Sequence, residues 1–283
     1  MTPPAIYVPS KTVGRHEASF HYMRLTFHGK PGLVAYLTCG DPDLATTRAV
    51  AIAAIDAGAD VIELGVPFSD PVADGPVVQR ASERALKTGT SLKQAIAVGA
   101  ELRRDRPNAG LIIFTYLNPV LRMGIGAFAQ QLASSSIDGA LITDLTIEEA
   151  DDYVAAMRSR QLATVFLAAP TSTDARLKAI AELSRGFIYA VSRTGVTGQQ
   201  QQLAADAADL VKRIRRFSQL PVAVGFGIST PEQFQTVGSF ADAAVIGSAI
   251  VSIIEKNGPE SAEPVANFIR GLSVGRSVAQ AEC

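Results

Sequence analysis

The segment from Val61 to Pro76 reads VIELGVPFSDPVADGP and carries three carboxylates, Glu63, Asp70 and Asp74. Glu63 interrupts an apolar, β-branched run. Side chains alternate along a strand, so Glu63 shares a face with Val61 while Ile62 and Leu64 take the other. A carboxyl facing an apolar interior resists ionisation and can hold and return a proton near neutral pH. A satisfied core carboxylate, paired with an arginine or accepting from backbone amides, is the competing reading. Asp70 and Asp74 fall on the loop that follows, where SDP and DGP are also turn-forming tripeptides.

A second chemistry is written in glycine. GVTG (195–198), GFGIS (225–229) and Gly247-Ser248-Ala249 each follow an apolar run. Glycine lets backbone N–H groups approach an anion, and a helix N-terminus adds partial positive charge, so these corners suit a phosphate. Neither GFGIS nor GSA contains a lysine or arginine, and neutral backbone donors are expected to hold it. Helix capping is the plainer role for Ser248 and for Thr230-Pro231-Glu232.

These groups need a scaffold. Eight short apolar runs recur, at 33–38, 61–64, 111–115, 140–143, 163–167, 187–191, 222–225 and 243–246, with amphipathic stretches between them. Strands without polar alternation are buried on both faces, as in parallel sheets covered by helices. Eight such units predict a (β/α)8 TIM barrel over 31–283, preceded by an N-terminal helical arm over 1–30 at the barrel bottom. An open doubly wound sheet shares this pattern, but GFGIS lacks the third glycine of a dinucleotide fingerprint. The connections after the second and sixth strands are the longest, and in a barrel such loops lie on the C-terminal face, where active sites are built.

What the chain lacks narrows the chemistry. It has 283 residues, 47% of them hydrophobic, and a net charge of −1, with no basic patch for nucleic acid or anionic lipid. No stretch reaches the length of a membrane helix, no secretory signal opens the chain, and Cys39 and Cys283 make no disulfide framework. The cytoplasm is the expected compartment. His16, His21 and His28 all precede the first barrel strand, which argues against a histidine base or triad and against a metal site. No lysine ends a barrel strand, so imine chemistry is not expected. Cys39 reads as a small packed hydrophobe.

Taken together, IELGVPFSDPVADGP, YAVSRTGVTG (189–198), GFGIS, GSA and TCGDP (38–42) closely resemble the tryptophan synthase alpha subunit family, from about Leu33 to Glu255. The resemblance implies retro-aldol cleavage of indole-3-glycerol phosphate to indole and glyceraldehyde 3-phosphate, without metal or organic cofactor. It implies that Glu63 is the acid-base residue, that Asp74 engages the indole N–H, and that Tyr189 supplies a hydroxyl near the reacting side chain. Tyr36, Phe114, Leu141, Tyr189 and Phe226 would form the ring slot, with Thr197 also touching substrate. The phosphate would rest on Gly198, Gly227, Ile228, Gly247 and Ser248.

The same resemblance implies a partner, a beta subunit carrying pyridoxal phosphate in an alpha2-beta2 assembly, met by Asp70, Pro71, Asn118 and Thr146. One position departs from the family: Asp144-Leu145-Thr146 stands where Asp-Leu-Pro or Asp-Val-Pro is common. Thr146 to Glu149 fits a capping box instead. A stand-alone lyase releasing free indole would share every one of these residues. A non-catalytic phosphate-binding barrel is a further alternative, against which the pairing of Glu63 with Asp74 argues.

Overall fold

The computed structural model describes residues 24–191, 200–225, 227–274 and 277–278. In chain order the elements are β1 (Gly29–Lys30), β2 (Gly32–Thr38), α1 (Leu44–Asp56), β3 (Val61–Gly65), α2 (Pro76–Lys87), α3 (Leu92–Asp105), β4 (Gly110–Thr115), α4 (Leu117–Met123), α5 (Ile125–Ser134) and β5 (Gly139–Ile142). They continue as α6 (Asp151–Arg158), β6 (Ala163–Val165), β7 (Leu167–Ala168), α7 (Asp174–Leu183), β8 (Ile188–Val191), α8 (Gln200–Ile214), β9 (Val222–Gly225), α9 (Pro231–Gly238), β10 (Ala243–Ile246), α10 (Ser248–Asn257), α11 (Ala262–Leu272) and β11 (Ser277–Val278).

All of the sheet from β2 to β10 is parallel, in the order β6-β5-β4-β3-β2-β10-β9-β8-β7. Its two ends are consecutive in sequence, separated only by Phe166. The run 163–167, which reads as one strand, is therefore split: β6 pairs with β5, and β7 pairs with β8. Eight strand positions close a TIM barrel, and Phe166 is where pairing passes from one neighbour to the other. Its ring turns outward onto Tyr153 of α6, edge to face at 6.3 Å.

Alternation along the strands sorts the core into two shells. Val34, Val61, Ile112, Leu141, Val165, Phe187, Ala223 and Val245 fill the barrel. Leu33, Ile62, Leu64, Leu111, Ile113, Val222 and Ile246 face the helices. Leu25 closes the bottom of the interior, and Phe27 packs edge to face on Phe187 at 5.9 Å. Of the arm expected to be helical, residues 1–23 lie outside the described residues, with His16 and His21. Its described end carries β1, which pairs antiparallel with β11.

Three aspartates fasten neighbouring strands at this end. Asp60, Asp138 and Asp242 each stand one residue before a strand and accept the amide of Leu33, Leu111 and Val222 respectively, all at 2.8 Å. Asp138 also receives Arg24 at 2.8 Å and Arg103 at 2.7 Å. These ties hold strands in register below the site without entering it.

At the opposite end the helix starts follow capping chemistry. Asp43 accepts Thr46 N–H at 2.7 Å to begin α1, and Thr230 with Gln233 forms a full capping box on α9. The box expected at Thr146 does not form. Thr146 makes no side-chain cap bond there, and Ile147–Glu149 is a single 3-10 turn closed by Glu149 N–H on the Thr146 carbonyl. The third-residue amide is thus spent on the threonine carbonyl instead of the hydroxyl, and the next helix, α6, starts only at Asp151.

Candidate active site

Glu63 lies in the middle of β3, opposite Tyr36 on β2 and Ile112 on β4. Sharing a face with Val61 aims it into the barrel. It is 0% exposed, and among the described residues neither carboxyl oxygen has a hydrogen-bond partner. No described arginine neutralises it and no described amide caps it, which argues against the satisfied-core reading. Burial alone pushes its pKa from 4.5 up to about 8, so it is a neutral acid at pH 7.

Asp74 reaches the same region from the loop after β3. Its amide donates to the Pro71 carbonyl at 3.0 Å, and Gln79 of α2 holds its carbonyl at 2.8 Å. The Tyr116 hydroxyl donates to its carboxylate at 3.1 Å. Burial pushes the pKa of Asp74 up to about 6, and the Tyr116 bond opposes that rise. Two carboxyls with separated titrations result: Glu63 holds its proton near neutrality while Asp74 is mostly ionised.

A cavity of about 370 Å³ opens at the C-terminal end of the barrel, walled in part by Tyr36 and Tyr189, the two tyrosines whose titrations the Glu63 charge raises. Tyr36, Phe114, Tyr189, Leu167 and Val245 provide apolar wall, and Asp74 provides the carboxylate. Tyr36 meets Phe114 edge to face at 5.1 Å. Gly227, Gly247 and Ser248 line the far side. Gly247 is the N-cap of α10 and Ser248 its first residue, and no side chain caps the turn, so backbone donors face the cavity. Gly227 has φ +78°, a conformation that favours glycine. No lysine, arginine or histidine is among the described lining residues.

Three expected residues lie off this surface. Glu63 is fully buried and is not among the lining residues, so it meets the cavity only from behind the wall. Leu141 is fully buried in the barrel interior, and Thr143, the next residue on the same face, takes the wall position. Ile228 packs into the outer core and can offer only its backbone. Thr197, Gly198 and Phe226 lie outside the described residues.

Reading types and spacing passed over Tyr116. It is buried, stacks on Phe68 at 4.9 Å, and its hydroxyl also accepts Ala73 N–H at 3.0 Å. Its signal was parity, since Ile112, Phe114 and Tyr116 fall on one face. The space that Gly65 and Gly225 leave for tyrosines was equally hidden, although Gly225 also reads as part of a phosphate corner. A Cβ on Gly65 would collide with the Tyr36 hydroxyl, and one on Gly225 would lie 2.8 Å from the Tyr189 hydroxyl.

Asp70, Asn118 and Thr146 are exposed around the barrel mouth, and Pro71 is half-buried. Asn118 borders a groove with Pro67, Phe68, Pro119 and Met123, and the neighbouring Val72 and Leu121 are exposed apolar side chains. Asp144, two residues before Thr146, accepts Leu117 N–H at 2.6 Å, tying the loop after β5 to α4. A wider hollow of about 820 Å³ lies at the opposite end, lined by Leu25, Phe27, Lys30 and the paired Arg215 and Asp242. It is remote from both active-site carboxyls and from the face where barrels build active sites.

Among the described residues, no three His, Cys, Asp or Glu side chains cluster to hold a metal ion, and no helix is long and apolar enough to cross a membrane. Cys39 is buried and free, and burial pushes its thiol up to about 12.

The profile of the family described as tryptophan synthase alpha chain matches residues 23–275. The tryptophan synthase alpha chain of Solibacter usitatus is 49% identical over 248 residues, covering 87% of this chain and 92% of that one. That of Laribacter hongkongensis is 45% identical over 244 residues, covering 86% and 92%. Among solved structures, one described as the tryptophan synthase a2b2 complex of Pyrococcus furiosus superposes with a TM-score of 0.82 at 38% identity, covering 88% of this chain and all of that one.

Proposed function

The chain belongs to the tryptophan synthase alpha chain family, and we propose that Glu63 and Asp74 divide its acid-base chemistry between them. The activity is that of a carbon-carbon lyase, the alpha subunit reaction of tryptophan synthase: cleavage of indole-3-glycerol phosphate to indole and glyceraldehyde 3-phosphate. The single observation that carries the residue assignment is the contrast between a neutral Glu63 without a partner among the described residues and a largely ionised, hydrogen-bonded Asp74.

Glu63 enters as an acid and protonates indole C3, which places positive charge on the ring nitrogen. Asp74 accepts the ring N–H and stabilises that charge. The Glu63 carboxylate then takes the proton of the side-chain hydroxyl next to the ring. The carbon-carbon bond breaks, its electron pair restores the aromatic ring, and the hydroxyl carbon leaves as an aldehyde. Glu63 finishes protonated, as it began.

Tyr36, Phe114 and Tyr189 hold the flat ring, with Leu141 behind them, and Phe226 and Thr197 complete the contacts. The Tyr189 hydroxyl faces the reacting side chain. Gly198, Gly227, Ile228, Gly247 and Ser248 hold the phosphate on backbone donors, with the α10 N-terminus supplying partial positive charge.

The partner is a beta subunit in an alpha2-beta2 assembly, docking over Asp70, Pro71, Asn118 and Thr146. Exposed Val72 and Leu121 beside these positions support that face. Pyridoxal phosphate belongs to the beta subunit, and this chain needs no cofactor of its own. The same reading places it in the cytoplasm. Incubation with indole-3-glycerol phosphate, with and without a beta subunit, tests the assignment: indole is released faster with the partner, and Glu63→Gln abolishes release. Rapid turnover by the chain alone, unchanged by the partner, would favour a stand-alone lyase.

A further inference from the structure

An acid that gives up its proton in a dry interior becomes an unsolvated carboxylate, and among the described residues Glu63 has no donor waiting on either oxygen. Leaving a buried charge without a hydrogen bond is costly, so a donor must come from a neighbour. The ladder places Tyr36 directly opposite Glu63. The Tyr36 ring crosses from β2 onto β3, where the absence of a side chain at Gly65 makes room for its hydroxyl. The buried Thr38 hydroxyl donates to the Tyr36 oxygen at 3.5 Å. That bond occupies an acceptor site of the phenol and leaves the phenol proton without an acceptor among the described residues.

We propose that Tyr36, with its oxygen held by Thr38, donates a hydrogen bond to Glu63 whenever that carboxyl is ionised, and is thus a positioning residue for the proton transfers. The phenol keeps its proton throughout. Burial raises its own titration far above neutrality, so it remains a donor at working pH. The other titratable groups facing the cluster are Tyr189 from β8, Asp74 from the loop after β3 and Tyr116 after β4. This rests on the reading of Glu63 as the proton-transfer group.

The test follows Glu63 itself, through the infrared carbonyl band of its protonated carboxyl, assigned by its loss in Glu63→Gln. Tyr36→Phe keeps the ring against Phe114 and removes only the donor. The Glu63 midpoint is expected to rise by about one unit or more, the equivalent of one hydrogen bond to a charged group. With the beta subunit present, kcat should fall about tenfold or more and KM should change little. Thr38→Val should shift the midpoint the same way by less, and Thr38→Ser should restore it. An unchanged midpoint in Tyr36→Phe overturns the donor assignment and leaves the role of Glu63 intact. Wild-type turnover in Glu63→Gln overturns the role of Glu63 whatever Tyr36 does.

Discussion

The Tyr116 hydroxyl donates to the Asp74 carboxylate at 3.1 Å and accepts the Ala73 amide at 3.0 Å, so one buried phenol fixes both the charge and the backbone of the loop. The bond favours the ionised form of Asp74 against burial. Tyr116→Phe should therefore raise the Asp74 pKa and lower kcat/KM by roughly tenfold near neutral pH, the scale of one hydrogen bond to a charged group. The pH profile of kcat/KM checks it: the acidic limb moves upward and the basic limb stays.

The two carboxyls should bracket activity. As pH rises through about 6, Asp74 ionises and kcat/KM climbs; above about 8, Glu63 loses the proton it must donate and kcat/KM falls. A bell between those values is expected from initial rates with the beta subunit present. Asp74→Asn should abolish the acidic limb.

The acid that serves the reaction also weakens the fold. The Glu63 pKa is higher in the folded chain than its ordinary value of 4.5, so the native state binds more protons than the unfolded one between 4.5 and about 8. Stability therefore falls as pH rises through that window and levels off above it. Glu63→Gln removes the term. Urea midpoints should show the variant gaining on wild type from about pH 5 to about pH 8, reaching a few kcal/mol.

Gly65 is a specificity of space. Gly65→Ala drives a methyl into the Tyr36 hydroxyl, displacing the ring and its hydroxyl. A stability loss of about 1–3 kcal/mol and a drop in kcat/KM of roughly a hundredfold are expected. Adding Tyr36→Leu should recover part of the lost stability, because the ring carbons that also collide, Cζ at 2.5 Å and Cε2 at 2.6 Å, leave together with the hydroxyl, but not the activity. Thermal unfolding of the single and double variants reads the coupling directly.

Much of this architecture is legible in the chain because it rests on local rules. The eight strands follow from apolar runs buried on both faces, and the inward aim of Glu63 follows from its parity with Val61. The split at Phe166 is not legible, since barrel closure is a long-range event that no window of residues records. Whether Glu63 was satisfied or bare could not be read from the strand either, because that depends on which side chains other strands bring to it. Tyr116 was missed although it obeys the same parity as Ile112 and Phe114; it stands one residue past the apolar run, where the strand pattern had ended. The packing roles of Gly65 and Gly225 were invisible for a different reason, as they lie in the volume these glycines leave to tyrosines on neighbouring strands.

The most direct measurement is the rate of indole release from indole-3-glycerol phosphate by Glu63→Gln in complex with a beta subunit, set beside substrate binding by the same variant. The chain contains no tryptophan, so it adds little fluorescence of its own, and the signal of the beta subunit without substrate is subtracted. Turnover should fall by about a thousandfold or more while affinity changes less than about tenfold, since the carboxyl acts on the transition state rather than on bound substrate. Turnover within a factor of about two of wild type would contradict the account.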